Sequence, residues 1–301
     1  MKIAVTGKSG QVVTSLLERG AAAGHEVIAL GRPEMDLADP ASVLRGIKDV
    51  MPDVVVSAAA YTAVDRAESE SDIAYAVNAL GAGAVAEAAK ALDVPLVHLS
   101  TDYVFDGELE RPYCENDTTR PTGVYGASKL AGEQAVMDAY GDNSAVLRVA
   151  WVYSPFGSNF VKTMLRLAAD KDEISVVADQ LGNPTSALDI ADGILKVAGN
   201  LVADSDPGLR GVFHMTAAGE ASWADLAQAI FAASLDLGGP SALVRKITTA
   251  DYPTPAARPA NSRLDCDMIA DVHNVALQDW HGALKTVVAR LQVVATESLP
   301  R

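Results

Sequence analysis

Lys2-Ile3-Ala4-Val5-Thr6-Gly7-Lys8-Ser9-Gly10-Gln11-Val12-Val13 is the stretch that decides the fold. A short run of apolar and β-branched residues leads straight into a glycine, a second glycine follows three residues on, and a helical pattern then covers Gln11–Ala23. A strand with no polar face is one covered on both sides, as in a parallel sheet flanked by helices. Glycine at the strand end permits a tight turn and lets backbone approach a pyrophosphate, which rests on the N-terminus of the following helix. Gly7, Gly10, Gln11 and Val12 are therefore candidate cofactor residues. Val13 stands where a third glycine is usual, and the plain reading of Gly7 and Gly10, a turn that binds nothing, stays open at this point.

The same alternation continues outward. His25–Leu30, Val54–Ala58, Leu96–Ser100 and Ala145–Ala150 read as further strands, and Pro40–Val50, Asp72–Leu92 and Tyr125–Tyr140 as the helices between them. Regular strand–helix alternation predicts an α/β fold, a Rossmann-type doubly wound parallel sheet with right-handed crossovers. After Val152 the pattern loosens. Phe160–Ala169, Ser186–Val197, Ser222–Leu235 (with Ser222 as N-cap) and Trp280–Val294 read as helices, and breakers cluster at Asp204–Gly211, Gly238–Pro240 and Tyr252–Pro259. This predicts a smaller, interleaved α/β C-terminal substrate domain. Residues 1–155 form the dinucleotide-binding domain, completed by parts of about 186–215; about 156–185 and 216–301 form the substrate domain.

Composition narrows the function. The 301 residues are 49% hydrophobic and 21% charged, enough for a sizeable core and not the profile of a disordered chain. A net charge of −15 argues against a nucleic-acid surface, which needs clustered Lys and Arg, and requires any anionic ligand to find a local cationic pocket. Cys114 and Cys266 are far apart, without metal-ligand spacing. The apolar start is too short for a signal peptide, and no run approaches the ~18 apolar residues of a membrane span. The expectation is a cytoplasmic protein without membrane or nucleic-acid partners.

Two places carry chemistry. Arg32 follows the second strand, where an arginine accommodates a 2′-phosphate and an acidic residue would bind the ribose hydroxyl, so Arg32 favours NADPH over NADH, with Glu34 close by as a counterweight. Asp36, Leu37, Ala58, Ala59 and Ala60 lie where the adenine and the inner phosphate-ribose would run; the alanines read equally as tight packing. Tyr125 and Lys129, four residues apart, share one helix face. A free tyrosine has a pKa of roughly 10, and a nearby ammonium is expected to draw it down toward the working range of a general acid. Thr101 would offer its hydroxyl to the same substrate oxygen. Alone, a Tyr-x-x-x-Lys pair is an ordinary helix surface.

Taken in order, Thr6–Gln11 (TGxxGQ), Ser57–Glu68 (SAAAYTAVDRAE), Val77–Gly81 (VNALG), Leu99–Gly107 (LSTDYVFDG), Tyr125–Glu133 (YGASKLAGE), Arg148–Tyr153 (RVAWVY) and Asp179–Thr185 (DQLGNPT) resemble the extended short-chain dehydrogenase/reductases. More narrowly they resemble the dTDP-4-dehydrorhamnose reductases, over Lys2 to about Leu291. The resemblance implies an NADPH-dependent (NADH possible) reduction of the C4 ketone of dTDP-4-dehydro-β-L-rhamnose. It implies Tyr125 as proton donor, Lys129 as its tuner and the ribose holder, and Thr101 as the group that bonds the reacting carbonyl. It places Gly7, Gly10, Gln11 and Val12 on the pyrophosphate, and Asp36, Leu37 and Ala58–Ala60 further along the cofactor. Asp102, Tyr103 and Trp151 match residues that meet the sugar nucleotide, and Gln180, Pro184, Thr185 and Arg258 border its nucleotide end. Some members dimerise around Mg²⁺ held by glutamates, one of them early in the first helix; Thr14 and Ser15 stand there, so no metal is expected and the chain is a monomer or a homodimer.

Two other functions fit parts of the pattern. Dehydratases of the superfamily carry Asp-Glu after the catalytic threonine, whereas Thr101 is followed by Asp102-Tyr103; a 4-epimerase on the same fold would retain its cofactor tightly. The non-catalytic β subunit of methionine adenosyltransferase also resembles this family, but Thr101, Tyr125 and Lys129 are all intact.

Overall fold

The computed structural model describes residues 1–297. Its centre is a six-stranded sheet: β1 (Lys2–Thr6), β2 (Glu26–Leu30), β3 (Val54–Ser57), β4 (Leu96–Thr101), β5 (Ser144–Val149) and β6 (Gly211–His214). The spatial order is β6-β5-β4-β3-β1-β2, and every neighbouring pair is parallel. The chain leaves β1 toward one edge and returns to β3 on the other side, so the order reverses between β1 and β3. That reversal opens a crevice beyond the carboxyl ends of the strands, the usual ligand position in such sheets.

Apolar residues on both faces of the strands explain the layers. Ile3, Val5, Val54, Val56, Val97 and Leu147 pack on one side with Val13 and Leu16 of helix α1 (Gln11–Ala22). Val55, Leu96 and Val146, one residue out of step, pack on the other with Val43 and Ile47 of α2 (Pro40–Val50) and Val85 of α3 (Gly81–Ala91). A period of two with both phases apolar is a strand covered twice. Further along are α4 (Val124–Tyr140), α5 (Phe160–Ala168), α6 (Ala187–Ala203), α7 (Trp223–Leu235) and α8 (Trp280–Glu297). Helix α6 joins α1 on the first face through Ile190 and Ile194. A separate apolar cluster gathers Val161 and Met164 of α5, Leu226 and Ile230 of α7 and Leu284 and Val288 of α8 against the paired strands Glu173–Val177 and Leu243–Ile247.

The strand and most helix expectations agree with these bounds to within a residue or two, and Ser222 caps α7 in a capping box with Asp225. Two differ. The helix expected over Asp72–Leu92 is broken: Ser71–Tyr75 is α-helical, Ala76–Leu80 is a π turn, and α3 resumes at Gly81. The cause is Asn78, whose side chain reaches out of the rod to Tyr61 and Ser128. Helix α6 runs on past the expected Val197 to Ala203, because Leu201 continues the buried stripe and is only 3% exposed.

Candidate active site

The turn after β1 has the shape a pyrophosphate requires. Gly7 adopts φ 101°, a conformation that L side chains rarely adopt. A Cβ there would sit 3.1 Å from Val13 Cγ2 and 3.3 Å from Ala59 Cβ. Gly10 is the N-cap of α1 with no side-chain cap, and no acidic residue occupies the first turn. The first amides of α1 are thus left for an anion at the positive end of the helix dipole. Val13 is 2% exposed and fills the place of the third glycine as core. The Gln11 side chain turns away, its Oε1 accepting from Ser154 Oγ and Asn159 Nδ2 at 2.9 Å each, so this residue tethers the turn and offers a ligand only its backbone.

Thr6 and the alanines join the two central strand ends. Thr6 Oγ1 accepts from the amides of Ala58 and Ala59, both at 3.0 Å, and Ala58–Ala60 stay half-buried along the crevice. Beyond β2, Arg32 is exposed, and among the described residues it has no ion-pair partner. Glu34, the counterweight in the sequence, is paired instead with Lys8 of the glycine turn. Asp36 caps its own turn, accepting from Ala38 N at 3.0 Å, and Leu37 is buried beneath Gly81, where a Cβ would meet the Leu37 carbonyl at 2.8 Å. Small residues, an uncapped helix start and a free guanidinium form a continuous cradle from β1 to β2 that fits a dinucleotide.

Thr101 ends β4, and Tyr125 and Lys129 lie on the first turns of α4 beside it. Gly126 makes the approach possible, since a Cβ there would fall 2.1 Å from the Tyr103 carbonyl oxygen. Tyr103 meets Tyr125 edge-on, ring centroids 5.5 Å apart. Gly132 makes a second close approach, to the Asn78 carbonyl, at 2.1 Å from where its Cβ would stand. Asn78 therefore fixes α4 to the Tyr61 loop one residue from Lys129, a role that sequence reasoning missed although Asn78 sits inside the VNALG motif.

The electrostatics differ from the expectation in one respect. Burial pushes the Tyr125 phenol up to about 12, with the Asp102 charge adding and the Thr101 hydroxyl opposing. Lys129 does not draw it down, because its Nζ is turned to the strand, donating to the Leu99 carbonyl at 2.6 Å and lying 3.5 Å from His98 Nε2. Burial lowers Lys129 itself to about 8, against the pull of Glu133, and keeps His98 neutral together with the Lys129 charge. Tyr125 is thus a fully protonated phenol at neutral pH, the form a proton donor needs.

Around this centre, Asp102 is 3% exposed, and its Oδ1 accepts from Thr101 Oγ1 at 2.9 Å while Oδ2 has no partner. Burial raises it to about 6, against the opposing hydroxyls of Ser262 and Thr101. Arg258 Nη2 donates to Asp65 at 3.0 Å, and its Nη1 is buried with no partner, the cationic contact that an acidic chain would need for an anionic ligand. Trp151 lines the same side, stacked on Trp223. Gln180 is buried between Trp223 and Thr249. Pro184 and Thr185 stand behind Trp151, with Thr185 wholly buried, its hydroxyl donating to the Asn183 carbonyl and its amide to the Trp151 carbonyl. Among the described residues no group of three or more His, Cys, Asp or Glu could hold a metal ion, and no helix is long and apolar enough to cross a membrane.

A family model described as the RmlD substrate binding domain matches residues 1–293. The dTDP-4-dehydrorhamnose reductase of Sinorhizobium fredii is 50% identical over 288 residues, covering 96% of this chain and 97% of its own. Among solved structures, a dTDP-4-dehydrorhamnose reductase from Clostridium acetobutylicum superposes with a TM-score of 0.89 at 37% identity, over 97% of this chain and 100% of that one. The Bacillus anthracis dTDP-4-dehydrorhamnose reductase, solved in complex with NADP, superposes with a TM-score of 0.88 at 33% identity, over 96% and 99% of the two chains.

Proposed function

The chain belongs to the dTDP-4-dehydrorhamnose reductase family, and we propose from this that it reduces the C4 ketone of dTDP-4-dehydro-β-L-rhamnose to dTDP-β-L-rhamnose, a step of dTDP-rhamnose biosynthesis. NADPH is the reductant, with NADH a second donor. Bound nicotinamide supplies the hydride. The chain's own residues do the rest. Gly7, Gly10 and the first amides of α1 hold the pyrophosphate, and the exposed Arg32 takes the 2′-phosphate through charge-assisted hydrogen bonds. Ala58–Ala60 leave room along the crevice. The Thr101 hydroxyl, exchanging its Asp102 acceptor for the substrate, positions the sugar C4 oxygen, and Tyr125 Oη donates its proton to that oxygen as the alkoxide develops. Lys129 supplies positive charge beneath the site and a ribose contact. Asp102, Tyr103 and Trp151 line the sugar pocket, and Arg258, with its unpartnered Nη1, meets the anionic diphosphate.

The observation that carries this reading is the convergence of Thr101, Tyr125 and Lys129 at the end of β4, beside an uncapped glycine turn, in a chain 50% identical to a named reductase. Two lobes divide the work in the proposal: residues 1–155 with parts of 186–215 bind the cofactor, and the rest binds the sugar nucleotide. The test is NADPH oxidation by the purified chain, started by dTDP-4-dehydro-β-L-rhamnose, with the product identified by NMR. Oxidation that depends on the ketosugar and yields dTDP-β-L-rhamnose supports the proposal; a purified chain carrying tightly bound NAD⁺ and giving an epimer refutes it.

A further inference from the structure

Trp151 and Trp223 lie face to face, ring centroids 3.6 Å apart and planes 7° from parallel. They come from distant parts of the chain, Trp151 just after β5 and Trp223 at the first position of α7. Trp151 has a left-handed backbone, φ 46°, a conformation costly for a bulky residue and held only where the surroundings dictate it. Gly182 makes room for the indole: a Cβ there would lie 2.3 Å from Trp151 Cε2. The ring therefore has a seat on one side and a partner on its face.

Trp223 is held in turn. Its Nε1 donates to Gln180 Oε1 at 3.1 Å, and Gln180 Nε2 donates to Thr249 Oγ1 at 3.0 Å. Phe160 packs against it with ring centroids 4.7 Å apart. Each end of the Gln180 amide is engaged by a protein partner and the residue is 4% exposed, so its side chain acts first on Trp223. An indole has few rotatable bonds, and a second ring stacked on it and hydrogen-bonded at the far end leaves it little freedom.

We infer that Trp223 is a positioning residue for the reduction: anchored by Gln180, it fixes the plane of Trp151 in the orientation that receives the sugar nucleotide. The inference rests on the reading of Trp151 as a wall of the substrate pocket. The stack provides its own signal, since two indoles at this distance couple as an exciton pair and give a couplet in far-ultraviolet circular dichroism wherever their transition moments are rotated against each other in the ring plane. That couplet disappears in Trp151→Phe and in Trp223→Phe.

The experiment compares Trp223→Ala, Trp223→Phe, Gln180→Leu and Gln180→Glu with wild type. Trp223→Ala is expected to lower kcat/KM for the ketosugar nucleotide about three- to tenfold, the worth of one aromatic pair, mainly through KM. NADPH affinity stays unchanged. Trp223→Phe, still an aromatic platform, recovers most of the loss although it has no couplet. Gln180→Leu weakens the couplet and raises KM; Gln180→Glu keeps an acceptor for Trp223 Nε1 but loses the donor to Thr249 and buries a charge beside Asp179, so it restores the couplet only in part. A folded Trp223→Ala with wild-type kcat/KM overturns the inference, as does an equal loss of NADPH affinity. A parallel titration with dTDP-rhamnose, read by the couplet of wild type and by intrinsic fluorescence of Trp223→Ala, measures the same loss as binding. Absence of turnover in wild type refutes the reductase reading alone, because unchanged dTDP-rhamnose binding in Trp223→Ala is what refutes the positioning role.

Discussion

Asp102→Asn will change the pH dependence of stability, and the size of the change follows from the burial of one carboxyl. Asp102 is 3% exposed, and one of its oxygens has no hydrogen-bond partner. Burial raises its pKa from the ordinary 3.8 to about 6. Between those values the folded protein keeps a proton that the unfolded chain has released, so stability falls as pH rises through that window. A rise from 3.8 to about 6 corresponds to about 3 kcal/mol, lost in full above pH ~7 and recovered below pH ~4. Asparagine cannot ionise. Its Oδ1 still accepts from Thr101, and its amide meets the Ser262 hydroxyl, so the cost is at most about 1–3 kcal/mol and does not vary with pH. The informative quantity is therefore the difference between variant and wild type at two pH values. Urea unfolding at pH ~5 and pH ~8 should show the Asp102→Asn protein gaining on wild type by about 1.5 kcal/mol between them. Parallel pH profiles for the two proteins would refute the reasoning and mean that Asp102 is ionised at its ordinary pKa in the folded state. Activity should fall in the same variant at neutral pH, since the charge that the proposal places against the sugar nucleotide is gone.

Tyr125→Phe should lower kcat by about 10²–10⁴ while NADPH still binds, as judged by fluorescence titration; near-wild-type turnover would remove Tyr125 from the proton-donor role. For Lys129, lowered by burial to about 8, kcat should decline as pH rises through that value and the ammonium loses its proton. A flat profile across that range would show that its charge is not needed. Arg32→Ala should reduce the NADPH-over-NADH preference in kcat/KM, by an amount worth about 1–3 kcal/mol if the guanidinium meets the 2′-phosphate; an unchanged ratio makes Arg32 a solvated surface charge.

Five of the six strands of the sheet were legible in the sequence because they are short, doubly covered and bounded by turn residues, as was the helix Pro40–Val50, whereas the edge strand Gly211–His214 was hidden behind the breakers at Asp204–Gly211. The glycine turn was legible for the same reason. What the pattern hid was anything decided by a contact across the fold. The π turn at Ala76–Leu80 depends on Asn78 meeting Tyr61 and Ser128, 17 and 50 residues away, and no helical periodicity signals that. Spacing correctly put Tyr125 and Lys129 on one face, yet it could not show that the ammonium would turn to the Leu99 carbonyl and leave the phenol to be governed by burial. Trp223 went unnoticed because it opens an amphipathic helix and reads as core until Trp151 is seen against it. Aromatic residues at the first turn of a helix, facing a motif tryptophan, were the available signal.

The central claim is that this site delivers hydride to C4 of a dTDP-linked 4-ketosugar while Tyr125 protonates its oxygen. The most direct measurement is turnover of dTDP-4-dehydro-β-L-rhamnose with NADPH deuterated at the transferable position, followed by NMR of the product. The account predicts dTDP-β-L-rhamnose carrying deuterium at C4 of the sugar and a stoichiometric amount of oxidised cofactor. Deuterium at any other sugar carbon, or product formed with no net oxidation of NADPH, would contradict it.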